Sequence, residues 1–301
     1  MKVAITGGSG FVGRNAAQLL EKNGHEPIPL SRRTGVGLDD VAGLQAAFQG
    51  CEAVLHCAGI NREIGDQTFA AVHVDGTRNV ITAAQQAGVR KIVFMSFLRA
   101  RPACGSGYHE SKWAAEELIR RSGLDYTVIK AGVVYGRGDH MLDHLSHAFY
   151  TFPLFGLVGL KDRLIRPTAV EDMARVLVAS IHDLRLSNKT VAVTGPEELT
   201  LRIAVKRVAI VVGKVPWFFR MPVWMHYAFA SVCEGIMKVP LVAVAQIRIL
   251  SEGLVESSPP AEPLPEDIAP TIPFSSQQIR RGLPSAGGFS LRDLRCCRST
   301  S

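Results

Sequence analysis

A tyrosine and a lysine four residues apart, Tyr108 and Lys112, form the pair in this sequence best suited to proton transfer. At this spacing both side chains lie on the same face of a helix. A lysine ammonium beside a phenol favours the phenolate and moves the pKa of the tyrosine toward neutral pH, where it can act as a general acid or base. Alone, the pattern is common and usually reflects surface packing. Here it opens the helix that follows a strand predicted over 90–96, and this context favours the chemical role.

Three glycines near the start, Gly7, Gly10 and Gly13, have the spacing of a turn that holds a dinucleotide. An apolar, β-branched segment over 2–6 predicts a buried strand before them, and helical periodicity runs from Phe11 to a stop at Gly24. The glycines permit a tight turn, a close approach of a pyrophosphate and close packing of helix on strand, while the helix N-terminus attracts phosphate charge. The alternative is a tight turn without a ligand.

Ser31, Arg32 and Arg33 follow a second strand predicted over 25–30. In a dinucleotide-binding fold, this strand end approaches the adenosine ribose, where an acidic residue usually holds the 2′-hydroxyl of NAD. A small hydroxyl and two guanidiniums suit a 2′-phosphate instead, through charge-assisted hydrogen bonds. The segment therefore favours NADP over NAD as the cofactor. The alternative is that both arginines are solvated loop residues.

Strands and helices alternate over the first two thirds of the chain. Further strands are predicted over 52–57, 90–96, 125–131 and 190–194, with helices over 39–50, over about 67–87 and from 108 onward. This alternation predicts an α/β fold of Rossmann type, a doubly wound parallel sheet with helices on both faces. Right-handed crossovers bring the carboxyl ends of all strands to one crevice.

Two loops at that crevice are candidates for contact with ligands. Ala58 and Gly59 follow the third strand, and residues this small would let a cofactor lie against the backbone. The glycine-rich segment 132–139 follows the fifth strand, where a substrate would bind.

The composition changes past residue 213. Segment 216–245 is strongly apolar and aromatic, and its longest uncharged run, 221–233, is shorter than the roughly twenty residues that span a bilayer. We expect a small, mainly helical C-terminal lobe over 214–301, with a Pro-rich connector over 257–273 and a tail. The dinucleotide-binding domain is expected over 1–213, with segments of a substrate lobe from about 132–189. Core packing explains the apolar segment best, and contact with a membrane surface or a protein complex is the alternative.

Composition excludes several classes of protein. The net charge of +7 comes from scattered basic pairs rather than a long patch, which does not indicate nucleic acid binding. The six cysteines form no CxxC pair and no cluster with metal-ligand spacing, so no metal is expected and reduced thiols in a cytoplasm are the simplest interpretation. No signal peptide is expected, because the first strand begins at residue 2. The adjacent Cys296 and Cys297 are expected to be free thiols in a tail.

Five motifs in order resemble the short-chain dehydrogenase/reductase superfamily, in its extended and atypical branch of NAD-dependent epimerase/dehydratase type. They are TGGSGFVG, VLHCAG, VDGTRNV, YHESK and RPTAVEDMA. The resemblance covers roughly 1–213, and the later part is similar to bacterial relatives of the 39-kDa accessory subunit of respiratory complex I.

The resemblance implies roles for individual residues. Tyr108 would be the general acid/base, and Lys112 would bind the nicotinamide ribose and keep Tyr108 acidic. Arg32 and Arg33 would meet the 2′-phosphate, and Ala58 and Gly59 would line the path of the cofactor. The pyrophosphate would be held by the glycine turn and its neighbours: Gly7, Ser9, Gly10, Phe11, Val12 and Gly13.

The sequence departs from the family pattern at three positions. A Ser or Thr usually follows the fourth strand and polarises the substrate oxygen; here that position falls at or next to Phe97, and Ser96 is the nearest candidate. Ser106 is a weak substitute. His73 stands where an Asn is common, and Lys130 near a common Arg. Losing one donor to a developing charge costs on the order of a hundredfold in rate.

Two hypotheses follow. The first is an oxidoreductase, or an epimerase/dehydratase, that acts by hydride transfer on a small carbonyl, sugar-nucleotide or quinone-like substrate. The second is a catalytically weak dinucleotide-binding protein with a structural, sensing or membrane- or complex-associated role. Relatives of the extended branch often form homodimers, so a homodimer is a further expectation.

Overall fold

Strands and helices alternate as the sequence predicts. The computed structural model describes residues 1–237, 242, 244–285 and 287–289. Its strands are β1 (Lys2–Thr6), β2 (Glu26–Leu30), β3 (Cys51–His56), β4 (Lys91–Phe97), β5 (Asp125–Ala131), β6 (Val134–Tyr135), β7 (Leu154–Val158), β8 (Leu164–Ile165), β9 (Thr168–Ala169), β10 (Lys189–Val193), β11 (Leu199–Thr200) and β12 (Trp217–Met221). Its α-helices are α1 (Phe11–Lys22), α2 (Val41–Phe48), α3 (Gly76–Gln86), α4 (Gly107–Arg120), α5 (His140–Thr151), α6 (Val170–His182), α7 (Leu201–Val212), α8 (Val223–Ile236), α9 (Val244–Glu252) and α10 (Ser276–Gly282).

The central sheet is parallel and has the order β10-β5-β4-β3-β1-β2. The chain runs from β1 outward to β2 and then crosses back over β1 to β3, so the strand order reverses beside β1. In open α/β sheets, ligands bind outside the carboxyl ends of the strands at such a reversal. Thr6, at the end of β1, is in register with both Leu30 and His56, so three strand ends meet there. The predicted Rossmann-type fold is confirmed.

The core on one side of this sheet shows why these segments form these elements. Ala4, Val54, Ile92 and Val128, from four neighbouring strands, belong to one buried apolar cluster. Residues of α2, α3 and α4 complete that cluster, because each helix presents an apolar face at helical spacing. The sheet thereby fixes where β1, β3 and β4 end and where α4 begins.

The chain divides into two compact units, each built from several segments. Unit 1 consists of 1–132, 168–194 and 256–272, and unit 2 of 133–167, 195–255 and 273–301. The prediction placed a boundary near residue 213, with substrate-lobe segments from about 132–189; the two units are divided into more segments than that. Part of the connector falls in unit 1 because it is bonded there: the amide N–H groups of Thr271 and Ile272 donate to Asp172 at 2.8 and 2.7 Å.

In unit 2, the segment Trp217–Met221 is a strand and not part of a helix as predicted. It pairs in parallel with β7, with Trp217 opposite Leu154 and Met221 opposite Val158. That pairing joins residues about sixty positions apart, which local periodicity does not report. The helices predicted after it are present as α8 and α9, and a short tail helix is present as α10. None of the helices within the described ranges combines the length and hydropathy needed to cross a bilayer. Cys296 and Cys297 lie outside the described residues.

Candidate dinucleotide and active site

The glycine turn between β1 and α1 is compact and leaves bare backbone. Gly7 has a φ of +70°, and a Cβ there would lie 2.7 Å from the amide nitrogen of Ala58. A Cβ at Gly13 would press on the carbonyl oxygen of Gly7 and lie 2.9 Å from its carbonyl carbon. The Gly10 amide donates to the Gly7 carbonyl at 2.8 Å and closes the turn. Glycine is therefore required sterically at 7 and 13.

The N-terminus of α1 is open to an anion. No side chain caps the helix at Gly10, which is exposed and extended. The first amide groups of a helix lack partners within the helix and carry partial positive charge. Phe11, Val12 and Gly13 supply these groups, with Ser9 just ahead of them. Bare peptide, an uncapped helix end and the strand-order reversal fit a pyrophosphate.

Ser31, Arg32 and Arg33 lie at the end of β2, where Arg32–Thr34 form one turn of 3₁₀-helix. The Ser31 amide donates to the Thr34 hydroxyl at 2.8 Å, which fixes the turn. Arg32 donates to the side-chain oxygen of Gln67 at 2.9 Å. The exposed Arg33 guanidinium makes no hydrogen bond or ion pair within the part of the chain that the structure describes. Both cations are thus presented beside the ribose end of the predicted site.

Gly59 lies beside the lysine of the predicted pair. A Cβ at Gly59 would be 3.0 Å from Nζ of Lys112 and 3.3 Å from Nε2 of His73, so the backbone of this loop lies close to both side chains. The Lys112 ammonium donates to the Met95 carbonyl at 3.1 Å and lies 5.1 Å from the centre of the Phe94 ring. Burial lowers the pKa of Lys112 to about 8.

Aromatic rings surround Tyr108. The ring centres of Phe69, Phe97 and His73 lie 5.7, 5.3 and 5.7 Å from that of Tyr108, all edge to face. Burial raises the pKa of Tyr108 above its usual value. The predicted direction, toward a more acidic phenol, is therefore wrong for this geometry. Desolvation of the phenol is the cause of this shift, and the Lys112 ammonium donates to a backbone carbonyl instead.

The loop before α4 is held by the side chain of Glu110, in the first turn of that helix. Its Oε1 accepts hydrogen bonds from the amides of Cys104 and Gly105 at 2.8 and 2.7 Å. Tyr108 is also in this first turn, so Glu110 sets the path by which the chain reaches it. Sequence reasoning did not single out Glu110, although an acidic residue at a helix start is a recognisable signal.

His73, at the position where relatives commonly have Asn, is buried and has a defined hydrogen-bonding state. Its Nε2 accepts the amide hydrogen of Ile60 at 3.1 Å, so the ring proton is on Nδ1 and is donated to the Ser111 hydroxyl at 2.8 Å. Ser111 in turn donates to the Tyr108 carbonyl at 3.1 Å. Burial, with a smaller contribution from the charge of Lys112, lowers the pKa of His73 to about 2. The neutral ring thus joins the Gly59–Ile60 loop to α4.

His73 lies in a π-helix, Ala70–Asp75, which leads into α3. The sequence predicts a regular helix over this stretch. Isolated π-helical turns occur frequently at functional sites.

Ser96, the candidate catalytic hydroxyl, is buried and donates to Oε1 of Glu116 at 2.5 Å. The Arg120 guanidinium donates to Oε2 of the same carboxylate at 2.7 Å, and the Lys130 ammonium lies 3.4 Å from its Oε1. Lys130 also donates to the Ala100 carbonyl at 2.8 Å. The contact that β4 makes with the Tyr108 ring comes from Phe97. The structure therefore brings Tyr108 and Lys112 to one helix face and directs Ser96 into a buried ionic cluster.

An open parallel sheet with a bare glycine turn at its reversal point is the architecture of nucleotide-binding α/β proteins. Within that class, the chain matches the description "NAD dependent epimerase/dehydratase family" over residues 3–187. It belongs to this family, which confirms the resemblance to the extended branch of the short-chain dehydrogenases/reductases.

Curated relatives are similar at moderate identity. An uncharacterized protein of Mycobacterium tuberculosis is 26% identical over 82% of the chain, which spans only 27% of that protein's length. A ceramide reductase of Caulobacter vibrioides is 28% identical over 73% of both chains. The mitochondrial NADH dehydrogenase (ubiquinone) 1 alpha subcomplex subunit 9 of Mus musculus is 26% identical over 67% of this chain and 59% of its own.

Among solved structures, a nucleoside-diphosphate-sugar epimerase from Staphylococcus aureus has a TM-score of 0.70 at 16% identity, covering 93% of this chain and 100% of that one. A UDP-glucuronic acid 4-epimerase from Bacillus cereus, in complex with UDP-glucuronic acid and NAD, has a TM-score of 0.67 at 16% identity, covering 94% and 98%. These likenesses support the fold.

Proposed function

We propose that this protein is an NADP(H)-dependent oxidoreductase that reduces a carbonyl carbon flanked by apolar groups. The observation that carries the proposal is the close approach of the Lys112 ammonium to Gly59. The same loop, at Ala58, packs on the glycine turn. The loop of Ala58 and Gly59 thus connects the candidate pyrophosphate cradle, which it contacts at Gly7, to Lys112.

The nucleotide would be held by the chain's own backbone and cations. The glycine turn with Ser9, Phe11 and Val12 would bind the pyrophosphate, and Ser31, Arg32 and Arg33 would bind a ribose 2′-phosphate. Hydride exchange at an oxygen-bearing carbon is the chemistry that a nicotinamide dinucleotide supplies when bound.

Tyr108 and Lys112 would handle the proton and the ribose. Because burial raises the pKa of Tyr108, its hydroxyl keeps its proton at neutral pH and suits donation to a carbonyl oxygen. An ammonium has three donors, and the bond to Met95 uses one, which leaves donors for a ribose hydroxyl.

The substrate class is inferred from the surroundings of Tyr108. Phe69 and Phe97 give this end of the site an apolar character, and the relative in Caulobacter vibrioides is named for reduction of a ceramide, a lipid. We therefore favour an apolar carbonyl, including quinone-like compounds, over a sugar nucleotide. The structurally similar epimerases keep a sugar nucleotide as the alternative.

The test is NADPH oxidation with a panel of long-chain ketones, quinones and nucleotide sugars, for the wild-type protein and for Tyr108→Phe. We expect turnover with an apolar ketone and a loss of about a hundredfold or more in Tyr108→Phe. The thermal shift caused by NADPH should stay unchanged, because the variant keeps the cradle. Equal turnover in both proteins would contradict the role of Tyr108.

A second candidate function is a dinucleotide-binding protein with little catalytic activity and a structural or sensing role. It is favoured by one observation: Phe97 contacts Tyr108 where the family pattern has a hydroxyl, while Ser96 donates to Glu116. A protein that binds NADPH but turns over no member of the panel would support this candidate.

A further inference from the structure

Helix α8 of unit 2 exposes an apolar face. Trp224 is 70% exposed and Val232 58%, and their neighbours on this side are also exposed. We define the α8 face as Trp224, Met225, Phe229, Val232 and Ile236. At 100° per residue these five side chains fall within one half of the helix circumference.

The α8 face carries no charge. The opposite side of the helix is buried through His226, Ala230 and Cys233. The one acidic residue of α8, Glu234, accepts the amide hydrogen of Val244 at the start of α9 and so lies away from the exposed half. Surface helices of soluble proteins normally place polar residues on their outer side. A contiguous apolar face of this kind marks an interaction site.

A cluster of basic residues adjoins the first turn of α8. Lys161, Arg163, Arg202 and Arg220 line one small surface cavity, together with a single acidic residue, Asp162. Asp162 pairs with Arg220 at 2.9 Å. The other three basic residues are exposed and form no ion pair with any described residue. We call these four residues the basic cluster.

The loop that carries this cluster contacts the start of α8. The Gly159 amide donates to the Met221 carbonyl at 2.9 Å, and a Cβ at Gly159 would lie 3.5 Å from the side chain of Val223. The exposed Leu160 lies between this contact and Lys161. The basic cluster therefore lies at the N-terminal end of α8, the end at which Trp224 and Met225 begin the α8 face, and we treat the two together as one candidate surface of unit 2.

We propose that this surface binds a membrane rich in anionic lipid, with α8 lying in the plane of the interface. An apolar helix face beside Lys and Arg side chains, with tryptophan at its end, is the composition that binds at the boundary of headgroups and acyl chains. Trp217, the first residue of β12, the strand that precedes α8, is 77% exposed. It adds a second amphipathic ring of the kind found at the level of the lipid headgroups. No described helix could span the bilayer, so the contact would be peripheral.

Charge favours a lipid surface over a second copy of the chain. A second copy of the chain would bring to the α8 face another apolar helix with the same basic cluster, and so no surplus of negative charge to pair with Lys161, Arg163 and Arg202. An anionic membrane instead attracts each unpaired Lys or Arg by about 1 kcal/mol, or roughly fivefold in affinity.

The test is flotation of the full chain with vesicles of phosphatidylcholine alone and with about 30% phosphatidylglycerol. We expect the protein to float with the anionic vesicles and to be released by high salt. Phe229→Glu should lower binding by about tenfold or more, since it puts a charge into the apolar face. Leu184→Glu is the matched control, because Leu184 is 84% exposed in unit 1, and it should bind like the wild type.

The electrostatic arm uses Arg202→Gln, which should weaken binding roughly fivefold. Its control, Lys22→Gln, removes one charge from an exposed position of α1 and should have no effect. Circular dichroism would verify that each variant is folded. Failure of the wild-type protein to float would overturn the proposal, as would undiminished binding by Phe229→Glu. A wild-type dimer that Phe229→Glu converts to a monomer, without vesicle binding, would assign the face to a second copy.

Discussion

Ser96 donates its hydroxyl hydrogen to Glu116 at 2.5 Å, and the Glu116 side chain is fully buried. Arg120 and Lys130 complete the cluster, with Arg120 2.7 Å from the same carboxylate. A buried charge is costly unless it is paired and hydrogen-bonded. The hydroxyl on β4 thus helps to satisfy a carboxylate on α4.

We predict that Ser96→Ala lowers stability more than activity. The free energy of unfolding should fall by about 1–3 kcal/mol, since Oε1 of the buried carboxylate loses its shorter hydrogen bond and keeps only that from Lys130 at 3.4 Å. Turnover should change by only a few fold. A loss near a hundredfold at unchanged folding would instead support the role predicted for Ser96 from the sequence. Urea unfolding and NADPH oxidation measure the two effects, and Ser180→Ala is the control, because this buried hydroxyl donates to the Val176 carbonyl of its own helix, outside the cluster.

We predict that Arg33→Gln weakens binding of NADP⁺ and not of NAD⁺. Hydrogen bonds to charged groups contribute about 1.5–3 kcal/mol, so the dissociation constant for NADP⁺ should rise by roughly tenfold to a hundredfold. Isothermal titration with both nucleotides measures this. Lys22→Gln, at the far end of α1, removes the same charge and should bind both as the wild type does. Equal weakening for both nucleotides would rule out a contact specific to the 2′-phosphate.

We predict that Gly13→Ala abolishes nucleotide binding and destabilises the fold. The added methyl group meets the Gly7 backbone, which cannot move aside as a flexible side chain could. Overpacking of this kind costs about 1–3 kcal/mol. Thermal unfolding with and without NADP⁺ tests both effects. In Gly235→Ala, where nothing lies within 4 Å of the new methyl, stability should stay level or rise.

We predict an acid sensitivity that depends on His73. Its pKa falls from 6.5 in the unfolded chain to about 2 in the fold, chiefly through burial. Between these values the unfolded state binds one more proton, so the free energy of unfolding decreases as the pH falls below about 6.5. The slope should be about 1.4 kcal/mol per pH unit for this group.

His73→Asn should remove that contribution while keeping an acceptor for the Ile60 amide. Urea unfolding at several pH values between about 4.5 and 6.5 would measure the slope. The control His140→Asn replaces an exposed histidine at the start of α5. Parallel curves for the wild-type protein and His73→Asn would contradict the prediction.

The local hydrophobic pattern of the sequence was sufficient to predict the six strands of the central sheet. The bounds of β1 and β5 agree with the sequence prediction, β2 begins one residue later, and β3, β4 and β10 are each shifted by one residue. The glycine spacing predicted the turn at β1, because most of its steric requirements are local. A Cβ at Gly10 or Gly13 would meet the backbone of Gly7, and of these three positions only Gly7 would bring a Cβ against a distant residue, Ala58.

The features that the sequence did not predict depend on contacts between residues far apart along the chain. The bond from Ser96 to Glu116 and the pairing of Trp217 with Leu154 join distant positions, so no window along the chain contains them. The pKa of Tyr108 depends on how deeply Phe69 and Phe97 enclose it. Spacing alone predicted that Lys112 lies on the same helix face as Tyr108. It did not predict that burial would determine the pKa of Tyr108.

The interleaved segments of the two units have a consequence for recombination between relatives. The chain passes between the units after residues 132, 167, 194, 255 and 272. A chimera that inherits one unit whole must therefore exchange several separate stretches at once. A single crossover within 133–271 leaves each unit with mixed parentage. If it falls between Asp172 and Thr271, the carboxylate and the backbone segment that donates to it come from different parents.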